Sequence, residues 1–529
     1  MEITDTGLSV ATKLGMVRPA ARLYDSLFGI PDLPEIDSSI SSYDLESSNK
    51  KGSVLFPFTQ GRRGLGSYID CILAHAFRVR GYEPTLLLCR SQLDMCFAKK
   101  WAPNEDAACD LCQYIGSEIT NRFGLETRDL TEFQYSIGDY STEPAQYRSV
   151  DVDSYARSSA RAYLRKYHLD TSDEHELRIL NRFRRSARYL VDIAYDILEN
   201  SDFDAVISND SGYLIGGVFL DVAHQHGIPA CDVDVGFRPH SLLCGRMDNR
   251  SSLTTYSSPS AVQSRLSTPL DKKEEQQINS FMLERMSGEN VRFDHTQLAP
   301  DGFSLESETT VYGAFTNLPW DASLTATAET AFDDVFEWLK KTVRYFNHTS
   351  ESELIIKTHP AEELRETNES IYQWLEDHDV PSENITVLPP DTGINPYEFM
   401  KSIDTGIVWN STSGLEMSYL GTPVIVAGDT HYRGYGFTYD ADSSEDYISY
   451  LDSHLDVSEH MSDLATRYAH HLFIDRHIEF PFYESTSDGY IIESLNSDQK
   501  IKESSELDIL IESILNNEDV SKNRHKIHR

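Results

Sequence analysis

Two short runs of apolar residues stand out in the C-terminal half of the chain. They span Glu353–Lys357 and Thr405–Trp409, and their length and β-branched content are typical of buried parallel strands. Each run ends in a polar motif, THP at 358–360 and NSTSG at 410–414, and a helical pattern follows each motif. The pattern therefore predicts two strand–turn–helix units.

Both polar motifs fall at the carboxyl ends of the predicted strands, where open α/β sheets bind their ligands. The second motif opens a helix, whose free backbone N–H groups and dipole favour an anion. We therefore predict a phosphate site at the turn formed by Ser411, Thr412, Ser413 and Gly414.

Two charged residues flank these motifs, and each has two interpretations. Lys357 is either a charge at the strand end or a second phosphate contact. Glu416 either accepts hydrogen bonds from ribose hydroxyls or complements the dipole of its helix in the first turn.

The N-terminal half repeats the alternation of strand and helix patterns. A first strand at Ser53–Phe58, a glycine-rich turn, a helix and a second strand at Pro84–Cys89 make a βαβ unit. Residues 120–200 have helical periodicity and predict an insertion in this domain. The strand pattern resumes at Ala205–Ser208 and again around Ile228–Val233.

The alternation predicts an α/β fold of two Rossmann-like domains facing a cleft, with the helical insertion in the first domain. The expected divisions are an N-terminal extension (1–50), an N-terminal domain (51–260, insertion about 120–200), a connection (261–304), a C-terminal domain (305–494) and a C-terminal helix and tail (495–529).

The composition excludes several classes of function. The chain has 529 residues and a net charge of −38, so its acidic, lysine-poor surface repels nucleic acid and anionic membranes. Adaptation to high salt explains that charge better than an acidic binding role, and the sequence most resembles a haloarchaeal protein. No run approaches the roughly 18–20 apolar residues of a membrane span. We expect a cytoplasmic location and seven reduced cysteines.

Four of the seven cysteines lie close together in the sequence, and the last two have CxxC spacing. Thiolates at such spacing suit a structural Zn²⁺, although the first gap of six residues is longer than usual. Reduced cysteines packed as small apolar side chains are an equally supported interpretation. The residues concerned are Cys89, Cys96, Cys109 and Cys112.

Four motifs together resemble the capsule polysaccharide biosynthesis proteins: HP at 359–360, STS at 411–413, GTPV at 421–424 and YRGYGF at 432–437. These are GT-B glycosyltransferases, similar in pattern to sialyl- and Kdo-transferases that use CMP-sugars. The resemblance covers the C-terminal half well and the N-terminal half loosely. It implies that His359 and the serine-rich turn hold the nucleotide phosphate. The sequence carries no convincing DxD motif of the metal-dependent GT-A transferases, so we expect no metal cofactor in catalysis.

The resemblance also implies a catalytic base and an acceptor side. Related CMP-sugar transferases carry two adjacent carboxylates before a glycine, and one of these acids deprotonates the acceptor hydroxyl. CDVDVG at 231–236 matches except for a valine between the acids, so Asp234 is the favoured base and Asp232 or Asp210 the alternatives. The acceptor side is expected at Arg62, Arg63, Asn209 and Asp210.

Three functions compete on these grounds. The first is a metal-independent glycosyltransferase that moves a sugar from a nucleotide-sugar, such as a CMP-sugar, to a polysaccharide or glycan; any membrane association would come through the acceptor or partners. The second is a CDP-polyol phosphotransferase or UDP-sugar 2-epimerase, which uses the same double-Rossmann cleft. The third is a non-catalytic scaffold that binds nucleotide-sugars.

Overall fold

The computed structural model describes residues 34–57, 61, 65–101, 104–209, 211–246, 258–288, 307–322, 330–486 and 489–527. The chain divides into two compact units. Unit 1 contains Met1–Tyr163, Leu169–Thr255 and His477–Arg529, and unit 2 contains Leu164–His168 and Tyr256–Arg476. No helix in the described ranges is long and apolar enough to cross a membrane.

The strands run in chain order as follows: β1 (Gly52–Phe56), β2 (Tyr82–Leu88), β3 (Glu126–Asp129), β4 (Ala205–Ser208), β5 (Ala230–Val235), β6 (Ser241–Arg246), β7 (Thr310–Phe315), β8 (Ser352–Lys357), β9 (Ile385–Leu388), β10 (Thr405–Val408), β11 (Val424–Val426), β12 (Tyr439–Asp440), β13 (His477–Glu479), β14 (Tyr483–Thr486) and β15 (Gly489–Ile492).

The α-helices run in chain order as follows: α1 (Ser38–Ser41), α2 (Leu65–Val79), α3 (Glu105–Phe123), α4 (Val152–Leu164), α5 (Glu174–Glu199), α6 (Leu214–Gln225), α7 (Pro259–Leu266), α8 (Lys272–Ser287), α9 (Val335–Phe346), α10 (Ala361–Leu364), α11 (Ile371–Asp377), α12 (Pro396–Ser402), α13 (Ser413–Leu420), α14 (Ser444–Leu451), α15 (Glu459–His470), α16 (Gln499–Lys502), α17 (Ser505–Leu515) and α18 (Val520–Ile527).

Unit 1 is built on a sheet whose described strands have the order β13-β6-β5-β4-β1-β2-β3. Strands β1 to β5 are parallel, whereas β6 and β13 are antiparallel to their neighbours. The apolar stripe of α2 packs on this sheet, and its core continues into the C-terminal helices through residues such as Ile501, Leu507 and Leu510. This is the Rossmann-like pattern predicted for the N-terminal half.

The C-terminal boundary differs from the one expected from the sequence. Residues 477–494 were assigned to the second domain, but His477–Arg529 belongs to unit 1. The reason is a long-range strand pair, since Ile478 of β13 lies opposite Leu242 of β6. Local patterns carry no information about such a pairing.

Within the range of the predicted helical insertion (about 120–200), α4 and α5 are helical, but Glu126–Asp129 forms β3, which pairs with β2 in the sheet of unit 1. The insertion is therefore shorter than predicted. Helix α5 begins where the Asp173 side chain accepts hydrogen bonds from the N–H groups of His175 and Glu176. One face of α5 is apolar and buried, with Phe183 and Leu190 inaccessible to solvent. The predicted extension at 1–50 lies mostly outside the described residues.

Strands β5 and β6 carry a disulfide between Cys231 and Cys244. The antiparallel register places Cys244 opposite Val233, so Cys231 is its diagonal neighbour on the adjacent strand. The expectation that all seven cysteines are reduced is wrong for this pair. Cys71, Cys89, Cys96, Cys109 and Cys112 are free thiols.

Unit 2 is built on a parallel sheet whose described strands have the order β12-β11-β10-β7-β8-β9. Strands β8, β10 and β11 are buried on both faces, which explains their continuous apolar runs. One face packs against α9, with Trp338 fully buried next to Ile356 and Ile407. Phe315 at the end of β7 lies opposite both Val408 and Lys357, so three strands end at the same level.

The short segment Leu164–His168 also belongs to unit 2. The carbonyl of Arg165 accepts a hydrogen bond of 2.9 Å from the N–H of Asn368. His168 Nδ1 lies 2.7 Å from Glu369 Oε1, and Nε2 lies 3.7 Å from Asp334 Oδ2. These two carboxylates raise the pKa of His168 to about 9, with Asp334 the larger cause.

Candidate active site

The carboxyl ends of β8, β7 and β10 form one rim of unit 2. Strands β8 and β10 flank β7 and are therefore about 10 Å apart. The N–H of Thr316 donates to the carbonyl of Lys357 at 3.2 Å, and the side-chain amide of Asn317 donates to the carbonyl of Asn410. The loop after β7 thereby joins the two predicted phosphate-binding motifs.

His359 lies two residues before the short helix α10. Its Nδ1 accepts a 3.1 Å hydrogen bond from the N–H of Ala361, and its carbonyl accepts one from the N–H of Glu362. Because Nδ1 is an acceptor here, the neutral ring carries its proton on Nε2. The Nε2–H group is therefore the donor of this half-buried imidazole.

Lys357 is the last residue of β8, and only 6% of its surface is exposed. Burial lowers the pKa of its ammonium group. Within the described ranges, no side chain pairs with this ammonium and no hydrogen bond reaches it. A buried cation without a counter-ion is costly, and an anionic ligand at the rim would compensate that cost.

The serine-rich turn is held by internal hydrogen bonds. Ser411 Oγ accepts from the N–H of Ser413 at 3.3 Å, and the Ser411 carbonyl accepts from the N–H of Gly414 at 3.1 Å. The hydroxyl of Tyr432 donates to the same carbonyl at 2.6 Å. Gly414 is required, since a Cβ at this position would overlap the Tyr432 hydroxyl.

These bonds change how the turn can bind an anion. We predicted donation by its backbone N–H groups, but those of Ser413 and Gly414 are engaged inside the turn. The hydroxyl groups of Thr412 and Ser413 have no partner among the residues that the structure describes. Side-chain hydroxyls are thus donors that the turn offers in place of the N–H groups of Ser413 and Gly414.

Glu416 is buried and bound within unit 2. Its Oε1 accepts hydrogen bonds from Arg285 Nε at 2.7 Å and from the Tyr397 hydroxyl at 2.9 Å. These contacts join α13 to α8 and α12. A ribose contact by Glu416 stays a prediction and would have to share the carboxylate with this network.

Glu362, three residues after His359, was missed by sequence reasoning. Its side chain is buried, and Oε2 accepts from Ser370 Oγ at 2.5 Å and from the N–H of Tyr372 at 3.2 Å. Burial raises the pKa of this carboxyl group to about 7. Two consecutive glutamates after HP were the available signal, but the sequence does not show which of them is buried.

The candidate bases of unit 1 lie on β5. Asp232 and Asp234 are two residues apart and therefore point to the same face of the strand. Asp232 is buried, and its Oδ2 accepts from the N–H of Ser211 at 3.1 Å. Asp234 is half-buried, and its Oδ1 accepts from the N–H of Val235 at 2.7 Å.

Other predicted acceptor residues are placed only in part. Asn209 follows β4, and its amide donates to both carboxylate oxygens of Asp70, at 3.2 and 3.4 Å. Asp70 is a buried acid on α2 that sequence reasoning missed. Arg62, Arg63 and Asp210 lie outside the described residues.

The four clustered cysteines line one pocket of unit 1. Nevertheless, within the described part of the chain, no three His, Cys, Asp or Glu side chains already form a group that could hold a metal ion. The four thiols therefore lie around one pocket, but the described side chains do not already form a metal site.

Comparison with known proteins identifies part of unit 2. Residues 321–472 match the family model described as capsule polysaccharide biosynthesis protein, which confirms the resemblance for this part of the chain. No curated protein sequence matches the chain significantly.

Solved structures are similar only at low scores. One Thermosulfurimonas dismutans KpsC structure, a beta Kdo 2,4 transferase, is 14% identical, with 50% of this chain and 79% of that chain covered and a TM-score of 0.36. Another, a beta Kdo 2,7 transferase, is 15% identical, with 56% and 87% covered and a TM-score of 0.33. The UDP-GlcNAc 2-epimerase of Neisseria meningitidis is 11% identical, with 88% and 100% covered and a TM-score of 0.32.

Proposed function

We propose, from the match of residues 321–472 to the capsule polysaccharide biosynthesis family, that this protein is a glycosyltransferase. It moves a sugar from a nucleotide-sugar, with CMP-sugars the first donors to test, to a polysaccharide or glycan acceptor. The observation that carries the proposal is the buried Lys357 ammonium, which has no counter-ion among the described residues and ends the strand before His359. A nucleotide phosphate supplies the missing charge.

The rim of unit 2 provides what a departing nucleotide needs. Negative charge accumulates on the phosphate as the bond to the sugar breaks, so preorganised donors favour the transition state. Lys357 supplies a positive charge, His359 an Nε2–H donor, and Thr412 and Ser413 hydroxyl donors. Because these groups act together on the phosphate, the leaving group does not require a metal ion.

Asp234 is the proposed base for the acceptor hydroxyl. Proton removal by a positioned carboxylate contributes ~10²–10⁴-fold in rate. Asp232 is more deeply buried than Asp234, and its carboxylate accepts a hydrogen bond from the backbone N–H of Ser211. We therefore assign Asp232 a structural role. Asp234 is the more accessible of the two acids on this face.

A panel of nucleotide-sugars and glycan acceptors, assayed at high salt, tests the proposal. Sugar transfer supports it. Epimerisation of a UDP-sugar without an acceptor, or transfer from a CDP-polyol, would replace it with the second function. Nucleotide binding without turnover of any donor would favour the non-catalytic scaffold.

Two substitutions test the assigned roles. Asp234→Asn should abolish transfer and leave nucleotide affinity nearly unchanged, because a base acts only on the acceptor. His359→Ala should weaken both nucleotide binding and transfer. Glu363→Gln, at an exposed position on α10, is the matched control and should change neither. If Asp234→Asn transfers sugar at the wild-type rate, the base is another residue.

A further inference from the structure

A pocket lies in unit 1 next to the carboxyl end of β2, and four of the seven cysteines line it. Cys89 follows β2, and Cys96 precedes the 3₁₀ turn Phe97–Trp101. Cys109 and Cys112 lie one turn apart on α3. Three separate segments of the chain thus bring four thiols to one cavity.

Apolar side chains complete the lining of the pocket, among them Leu88 and Ala108. Cys96 is buried, whereas Cys89, Cys109 and Cys112 are partly exposed. The pocket therefore gathers four soft sulfur atoms around a single cavity.

We propose that this pocket is a binding site for a soft cation of the Zn²⁺ class, with Cys89, Cys96, Cys109 and Cys112 as its ligands. A set of four sulfur atoms selects such ions over hard cations such as Mg²⁺, which prefer oxygen. Four thiolates fill a tetrahedral shell and leave no position for a substrate, so the ion is structural.

Binding requires a local rearrangement, because the described side chains do not already form a group of three ligands. Cys109 and Cys112 share one face of α3, where Cβ atoms three positions apart are about 5–6 Å from each other. Both residues line the pocket, so rotation about their Cα–Cβ bonds can bring the two sulfurs together there. Each of the four thiols loses its proton to solvent, and four S–Zn bonds form without any change of oxidation state.

The site would also fix the part of α3 that contacts Gly61. Gly61 rests directly on α3, because a Cβ at this position would overlap the carbonyl oxygen of Cys112 and the backbone nitrogen of Gly116. An ion held by Cys109 and Cys112 anchors this part of α3 to the end of β2. Metal binding should therefore stabilise the helix against which Gly61 packs.

The test is the metal content of the full chain, purified under reducing conditions at high salt without chelators and then equilibrated with Zn²⁺. We expect one Zn²⁺ per chain, with an affinity that rises steeply with pH because binding releases protons. Replacement by Co²⁺ should give thiolate charge-transfer bands and the d–d spectrum of a tetrahedral site. Hydrogen exchange of the α3 amides should slow when the metal is bound.

Two variants separate this site from adventitious binding. Cys109→Ser with Cys112→Ser should lose the ion, whereas Cys71→Ala should retain it, because the buried Cys71 lies on α2 and does not line the pocket. Wild-type protein that takes up no stoichiometric Zn²⁺ overturns the proposal. So does mass spectrometry showing a Cys109–Cys112 disulfide in the reduced preparation. Neither readout depends on sugar transfer, so this proposal and the proposed function fail independently.

Discussion

Replacing Lys357 by methionine should have opposite effects on stability and on nucleotide binding. The substitution keeps the length of the side chain and removes the charge. The ammonium is buried and, among the described residues, has no counter-ion, and burial lowers its pKa. The wild-type protein is therefore destabilised by this charge when no ligand is bound. Replacing an unfavourable buried charge by an apolar side chain should raise the free energy of unfolding by about 1 kcal/mol or more.

Nucleotide affinity should change in the other direction. A charge-assisted hydrogen bond between the ammonium and a phosphate oxygen contributes ~1.5–3 kcal/mol. Its loss in Lys357→Met should weaken CMP binding by roughly 10- to 100-fold. Calorimetric titration with CMP and thermal unfolding, both on ligand-free protein at high salt, measure the two quantities.

The pH dependence gives a third measurement on the same protein. A lysine with a lowered folded-state pKa destabilises the folded protein at neutral pH. That penalty disappears as pH rises from the folded-state pKa towards the ordinary value of 10.5. The stability difference between Lys357→Met and wild type should therefore shrink in alkaline buffer.

Lys340→Met, on the exposed face of α9, is the matched control for loss of one lysine charge. It should change neither the free energy of unfolding nor the affinity for CMP. The reasoning is refuted if Lys357→Met unfolds more easily than wild type and binds CMP equally well. That result would make Lys357 a structural charge at the strand end.

Three further predictions concern local contacts. Gly414→Ala should destabilise by about 1–3 kcal/mol through overlap with the Tyr432 hydroxyl, and Tyr432→Phe should restore part of the loss in a double-mutant cycle. The pKa of His168 is raised to about 9. The His168 pair, which is half-exposed, should therefore add about 1 kcal/mol to the free energy of unfolding below pH 6.5, and this contribution should vanish as pH rises through 9. His168→Ala should flatten this pH dependence of stability. Glu362 has a pKa raised from 4.5 to about 7, so the wild type should lose stability as pH rises between these values. Glu362→Gln should remove that loss in pH-dependent unfolding, and an unchanged slope would contradict the assignment.

Much of unit 2 could be predicted from short stretches of sequence. Apolar runs with β-branched residues predicted β8 and β10, and the polar residues after them predicted the rim. This succeeded because strand and helix periodicity is local, and because parallel strands place their carboxyl ends together. The order of β10, β7 and β8 then brings His359 and Ser411 to the same edge of one sheet.

Other features depend on contacts between residues far apart in the chain. Glu416 accepts a hydrogen bond from Arg285, 131 positions earlier, and this partner is invisible in the pattern around Glu416. Cys231 pairs with Cys244 because β6 returns antiparallel to β5. Strand β13 likewise belongs to unit 1 because it pairs antiparallel with β6, which lies much earlier in the chain.

The serine-rich turn shows where local inference stops. The sequence predicts a turn that opens a helix, and the free N–H groups of a helix start suggest anion binding. Tyr432, however, reaches the Ser411 carbonyl from another loop and packs against Gly414, while Ser411 itself binds the N–H of Ser413. The turn is thereby fixed with the N–H groups of Ser413 and Gly414 occupied. Binding then depends on the hydroxyls of Thr412 and Ser413, so Ser413→Ala should weaken CMP binding while Ser413→Thr retains it, and equal affinity in all three proteins would return the role to the backbone.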